Sequence, residues 1–138
     1  TPIPDLIDWS RVGDGTEFNQ MVSSGYRPDQ VWSDLELLKD QYRSSVVYVI
    51  NTLVSYLQEY GDENLVVMVL GDHQPMPLIA EGASVSDVPV HFITADPELH
   101  ALIRNWQWTP GMLPADDAPV WRMDSVRDRL VQTFSPQL

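Results

Sequence analysis

Six consecutive apolar residues, Leu65-Val-Val-Met-Val-Leu70, run without a polar break and stop at Gly71-Asp72-His73-Gln74-Pro75. A strand with one face in water alternates apolar and polar side chains. An unbroken apolar run predicts burial on both faces, as in the centre of a parallel sheet. The segment before it predicts a long helix. Ser33 is placed as its N-cap, with Glu36 three residues on in a capping-box pattern. Leu35, Leu38, Tyr42, Val46, Val49, Leu53, Tyr56 and Tyr60 then recur at helical spacing, and Gly61 stands where the helix should stop. Such a stripe predicts a helix packed on a sheet. Asp62-Glu63-Asn64 turns the chain, so helix, turn and buried strand make half of a βαβ repeat.

The remainder supports the same fold class. Val88 to Thr94 reads as a second strand, with Pro89 near its start, where a missing donor is tolerated. Asp96-Pro97-Glu98 starts a helix: N-cap, proline at the first position, acid in the first turn. Leu99, Leu102 and Ile103 are its inward residues. Asp124 is placed to cap a last helix with Val126, Leu130, Val131 and Phe134 on its apolar side. Residues 76–87, which include Pro77 and Gly82, and residues 106–119 read as loops, and Val120-Trp121 as a short extended piece. Residues 1–32, punctuated by Pro2, Pro4, Gly13, Gly15, Gly25 and Pro28, read as an irregular arm pinned by Ile7, Trp9, Phe18 and Val22. The expectation is one domain over 1–138, its α/β part in 33–138: a small mostly parallel sheet flanked by helices.

Charge narrows the function. Twenty acidic residues against eight basic ones give a net charge of -12. That balance disfavours nucleic acid and anionic lipid, which are bound through Lys and Arg. With no cysteine, disulfides and thiolate ligands are excluded. The apolar run is far too short to span a bilayer. The start, Thr1-Pro2-Ile3-Pro4, has neither a signal pattern nor an initiator Met, which suggests a fragment or a processed chain, with any anchor upstream.

In open α/β sheets, ligands bind at the carboxyl ends of strands. Asp72 and His73 stand there, and a carboxylate with an imidazole suits a divalent transition metal. Adjacent side chains of a strand point to opposite faces, so both can reach one ion only where the chain bends. Gly71 permits that bend and Pro75 fixes the exit. The plain alternative has Asp72 capping a turn and His73 in solvent. Further ligands would have to come from Asp14, Asp87, His91, Asp96 or His100. His91, inside a strand, reads first as a satisfied core histidine and second as a substrate-binding residue. His100, in mid-helix, reads as solvent-facing.

Tyr42-Arg-Ser-Ser-Val-Val-Tyr48, the helix to Tyr60 and Asn64-Leu-Val-Val-Met-Val-Leu-Gly-Asp-His-Gln-Pro75, followed by Val88-Pro89-Val90, resemble the alkaline phosphatase superfamily. The nearest branch is the sulfatase-like membrane proteins that include lipoteichoic acid synthase and the phosphoethanolamine transferases. The likeness covers roughly residues 40–95. A looser one extends to Asp5-Leu-Ile-Asp-Trp9, Gly13-Asp14-Gly15 and the tail from Trp121 to Ser135.

The resemblance implies the C-terminal part of a doubly wound domain, with Asp72 and His73 as metal ligands. Zinc or manganese is the expected ion, with calcium or magnesium as alternatives. It implies a phosphate- or sulfate-ester substrate, hydrolysis or phospho-group transfer, and a place on the extracytoplasmic face of a bacterial membrane. In the family a carboxylate from an early strand and a Thr or Ser nucleophile complete the centre. Nothing in residues 1–32 matches those motifs. Val49 and Ile50 follow Tyr48 where the family carries an acidic residue. Either an upstream half of the same protein supplies the missing groups, or the centre has degenerated into a non-catalytic binding module. Such a module would use Trp106, Trp108 and Trp121 or the 76–87 loop. An exposed sheet edge could also pair with a second copy.

Overall fold

The computed structural model describes residues 7–23, 26–80 and 86–135. The Thr1 to Leu6 start, Gly25, Gly82 and the side chains of Phe18 and Val22 lie outside the described set. The chain forms two units, Thr1–Gly61 with Pro75–Ala83, and Asp62–Gln74 with Ser84–Leu138.

In the first unit, the stretch read as an irregular arm is helical at three places: a 3-10 turn at Trp9–Arg11, α1 at Gly15–Ser23 and α2 at Pro28–Ser33. The turn-forming residues sit at helix starts. Asp8 accepts from the Ser10 N–H at 2.8 Å, Asp14 from the Thr16 N–H at 2.9 Å, and Pro28 opens α2. A carboxylate over exposed N–H groups, and a proline where no donor is needed, begin helices as readily as they make loops.

The long helix α3 spans Leu35–Tyr60. Its cap is Asp34, one residue later than the sequence suggests, accepting from the N–H groups of Glu36 and Leu37 at 3.0 and 3.1 Å. Ser33 instead closes α2, its hydroxyl donating to the Gln30 carbonyl at 2.9 Å. Gly61 does end α3, with φ at -69° and not in the left-handed region. The glycine is needed there because a Cβ would press into the Leu57 carbonyl oxygen, which already accepts the Gly61 N–H.

The half-buried face of α3 is not the expected apolar stripe. Leu38 and Leu53 of that stripe are half-buried, but so are Leu37, Gln41, Ser45, Tyr48, Thr52, Ser55 and Leu57, whereas Val46 is 39% and Val49 60% exposed. Ser45 and Thr52 return their hydroxyls to the carbonyls of Gln41 and Tyr48, at 2.9 and 2.8 Å, which leaves their outer surface fit to pack. α2 packs against α3. Trp9 stands edge-on to Tyr56 and Tyr60, both at 5.7 Å, and donates its indole N–H to Ser55 at 2.9 Å. No strand lies in this unit among the described residues, so the stripe packs on no sheet there.

The second unit overturns the expected sheet. β1 (Val66–Leu70) and β2 (Val90–Thr94) pair antiparallel, Val66 opposite Thr94 and Leu70 opposite Val90, and the described residues form no further strand. A mostly parallel sheet, and with it the C-terminal portion of a doubly wound domain, is therefore not the fold. A parallel pair needs a crossover of a dozen or more residues, usually helical. Between the strands, residues 71–80 and 86–89 hold turns and extended chain but no helix. Nor is β1 buried on both faces: Val66 and Leu70 are 42% and 48% exposed. An unbroken apolar run reports a demand for cover, and says nothing of strand direction.

Behind β2 lies an aromatic core. α4 (Pro97–Leu102) begins as expected, with Asp96 accepting from the Glu98 N–H at 2.7 Å, and passes into a 3-10 turn at Ile103–Trp106. Trp106, 5% exposed, is ringed by Phe92, Trp108, Trp121 and Phe134 at 5.0 to 6.2 Å. Its indole N–H donates to Thr133 at 3.2 Å. α5 (Met123–Phe134) contributes Val126, the other buried hydrophobic residue described, and stacks Phe134 on Phe92 at 5.7 Å. Arg122 is the cap residue of α5, and Asp124 lies in its first turn. Aromatic pairs with offset or edge-on geometry add about 0.5–1.5 kcal/mol each beyond burial.

Candidate functional site

The pair Asp72 and His73 follows β1 directly, in the second unit. The last rung of the ladder runs past the strand's formal end, since the Gly71 N–H donates to the Pro89 carbonyl at 3.2 Å. A Cβ on Gly71 would lie 3.1 Å from the Val88 Cβ, closer than such atoms ordinarily approach. Gly71 thus serves close approach between the two chain segments, and its backbone does not take the left-handed conformation. Beyond it, the Gln74 side-chain amide donates to the Asp87 carbonyl, tying the turn to the segment that enters β2.

Both side chains of the pair are open to solvent, Asp72 at 87% and His73 at 78%. They nonetheless converge. Asp72 Oδ1 accepts from the His73 backbone N–H at 2.9 Å, which holds the carboxylate over the next residue. Its Oδ2 lies 3.5 Å from His73 Nε2. On the far side of the ring, Nδ1 is 2.7 Å from the Gln74 carbonyl oxygen. A carbonyl can only accept, so Nδ1 is the donor of that contact, and Nε2 is the ring nitrogen turned to Asp72.

Three of the other candidates, Asp14, Asp96 and His100, are engaged elsewhere. Asp14 caps α1 and Asp96 caps α4. The Thr16 hydroxyl and amide hold the Asp14 carboxyl below its ordinary range. His100 is exposed, yet its Nε2 contacts the Thr94 carbonyl oxygen at 2.9 Å, at the end of β2. His91 is half-buried on β2, opposite Val69. Among the described residues no group of three His, Asp or Glu side chains is placed to hold a metal ion. Asp72 and His73 can supply two ligands and no more.

A groove of about 1010 Å³ runs through the same unit, lined by residues 86–93, which include His91, together with His100, Arg104, Trp108 and Trp121. Trp106, grouped with these tryptophans in the sequence, is core. Trp108 and Trp121 line the groove, and the Arg129 guanidinium sits 4.1 Å above the Trp121 ring. The sequence displays the three tryptophans but not which is buried. They span 16 residues of mostly irregular chain, and no periodicity links them to β2.

No family model, no curated protein and no solved structure matches the chain.

Proposed function

We propose that this chain carries part of the metal site of a hydrolase or phospho-group transferase acting on phosphate or sulfate esters, with Asp72 and His73 as two of the ligands. The observation that carries the reading is the 3.5 Å approach of Asp72 Oδ2 to His73 Nε2. Bonds of about 2.0–2.1 Å at a tetrahedral angle put neighbouring donor atoms about 3.3 Å apart, so two adjacent residues already present one edge of such a site. The Gln74 carbonyl supports it by orienting the imidazole from behind, as the outer partner of a metal-bound histidine usually does. The resemblance of residues 40–95 to sulfatase-like membrane proteins points the same way.

An ion held there supplies Lewis-acid polarisation of an ester oxygen and activation of a nucleophile. This chain's own part is to orient two donors. The remaining ligands and a Thr or Ser nucleophile belong to the upstream half of the same protein. That half also carries the anchor to the extracytoplasmic face of the membrane. No helix among the described residues is long and apolar enough to cross a bilayer.

The groove lined by Trp108 and Trp121 favours one alternative, a binding module whose centre has degenerated. Calorimetry with zinc and manganese on the protein joined to its upstream half separates the two. Stoichiometric binding, weakened about a hundredfold or more by Asp72→Ala and by His73→Ala, is the expected result. Binding that ignores both substitutions, or none at all, leaves the module.

A further inference from the structure

We infer that the groove of the second unit binds an organic oxyanion, its charged group held at Arg104 and its aromatic body set against Trp108 and Trp121. The charge of the groove itself carries the inference. Five of the seven arginines are ion-paired to a carboxylate near them in sequence. Arg104 and Arg129 have no carboxylate partner among the described residues, and both stand at the groove. Arg104 lines it, and the Arg129 guanidinium lies 4.1 Å from the centre of the Trp121 ring, which also lines it. In a chain with 20 acidic residues and 8 basic ones, carboxylates must go unpaired and arginines need not. Two guanidinium groups without a carboxylate at one groove are therefore against the trend of the whole molecule.

Two carboxylates line the groove as well, and neither neutralises Arg104. Asp87 stands before β2, whose five residues put about 13 Å between that end of the strand and Thr94. Arg104 belongs to the Thr94 end. His100, four residues before it and also in the lining, is fixed there by the contact of its Nε2 with the Thr94 carbonyl oxygen at 2.9 Å. Asp116 lies in a turn closed by the Ala118 N–H on the Ala115 carbonyl at 2.9 Å, and it forms no ion pair with either arginine.

The ligand chemistry follows from these groups. A guanidinium offers a planar fork of donors that matches the two oxygens of a carboxylate, sulfate or phosphate. Trp108 and Trp121 are half-buried, with ring centroids 5.3 Å apart and planes 43° to each other, and they offer indole surface to a flat apolar body. A groove of about 1010 Å³ has room for a body of more than one ring. Neither Asp72 nor His73 lines it, so the inference stands apart from the metal reading.

The test uses naphthoate, naphthyl sulfate and naphthyl phosphate, with naphthol as the neutral match and inorganic sulfate and phosphate as the anions without a body. Chelator in every sample keeps metal from Asp72 and His73. Calorimetry reads affinity, and NMR reads the indole N–H signals. We expect at least one of the three aromatic anions to bind about tenfold more tightly than naphthol and than either inorganic ion, and to shift the Trp108 and Trp121 signals. The tightest of the three identifies the oxyanion. Arg104→Gln should bring that anion down to the affinity of naphthol while the Trp106 signal stays in place. Naphthol bound as tightly as the anions, a preference for the anion that survives Arg104→Gln, or no binding of any of the three overturns the proposal.

Discussion

The two units of this chain are stabilised by different means. The first is organised along one 26-residue helix and draws on local devices: the Asp34 cap, hydroxyls turned back on their own carbonyls, and a three-ring contact between Trp9, Tyr56 and Tyr60. No residue of α3 is fully buried. The second unit has short elements, none longer than 12 residues, but it closes four aromatic residues around Trp106. Local hydrogen bonds can hold a helix that lacks a core, whereas a two-stranded sheet is marginal by itself and depends on what packs behind it. The comparison teaches that the longest element of a chain need not be where its burial is concentrated.

The largest test of that contrast is Trp106→Ala. Removing a buried tryptophan costs about 3–5 kcal/mol, enough to abolish the fold of the second unit. Amide exchange should rise throughout β1, β2 and α5 while the centre of α3 stays protected. Equal loss in both units would make the contrast wrong. Gly71→Ala comes next, at about 1–3 kcal/mol, because the new Cβ meets Val88 at 3.1 Å. Its denaturation midpoint should fall, and the spacing of Asp72 and His73 should change with it, read as weaker zinc binding in the protein with its upstream half.

Asp34→Ala is smaller, about 1 kcal/mol, and belongs to the first unit alone. It should speed exchange at the Glu36 and Leu37 amides and leave Trp106 fluorescence untouched.

The smallest effect is in acid. The Asp8 and Asp14 carboxyls are held below the ordinary value of 3.8, chiefly by hydrogen bonds from Ser10 and Thr16. Asp124 is lowered chiefly by the Arg122 guanidinium. A carboxyl lowered by folding contributes stability above its ordinary value, and loses it as pH falls through the lowered one. Carboxyl NMR titrations should place all three below 3.8, and added salt should raise Asp124 more than Asp8 or Asp14. Uniform salt sensitivity would mean that charge, and not the hydroxyl contacts, dominates in the first unit.

Much of the local structure was legible from residues 34–70 and 96–134. The helix ending at Gly61, the strand at Val66–Leu70 and the start of α4 at Asp96-Pro97 are where caps and periodicity put them. These signals work because a cap or a breaker acts within four residues of itself. The helical pieces before α3 were missed, since Asp14-Gly15 and Pro28 serve equally as turn formers and helix starters. The site was legible as a dipeptide only. Adjacency of Asp72 and His73 was plain, but the role of Gly71 in letting Val88 close in depends on a residue 17 positions away.

By itself the sequence determined the long helix up to Gly61, the two strand segments and the start of α4, that the chain is strongly acidic, and that Asp72 and His73 follow a strand. Tertiary structure alone decided that the two strands run antiparallel. It also turned the Gln41, Ser45 and Thr52 side of α3 to the half-buried face, made Trp106 core while Trp108 and Trp121 line a groove, and gave β2 no second partner strand among the described residues. The physical reason is range. Helix and turn energetics are settled between neighbours in sequence, whereas strand direction and burial depend on surfaces brought together across loops, and no local pattern encodes which surfaces those are.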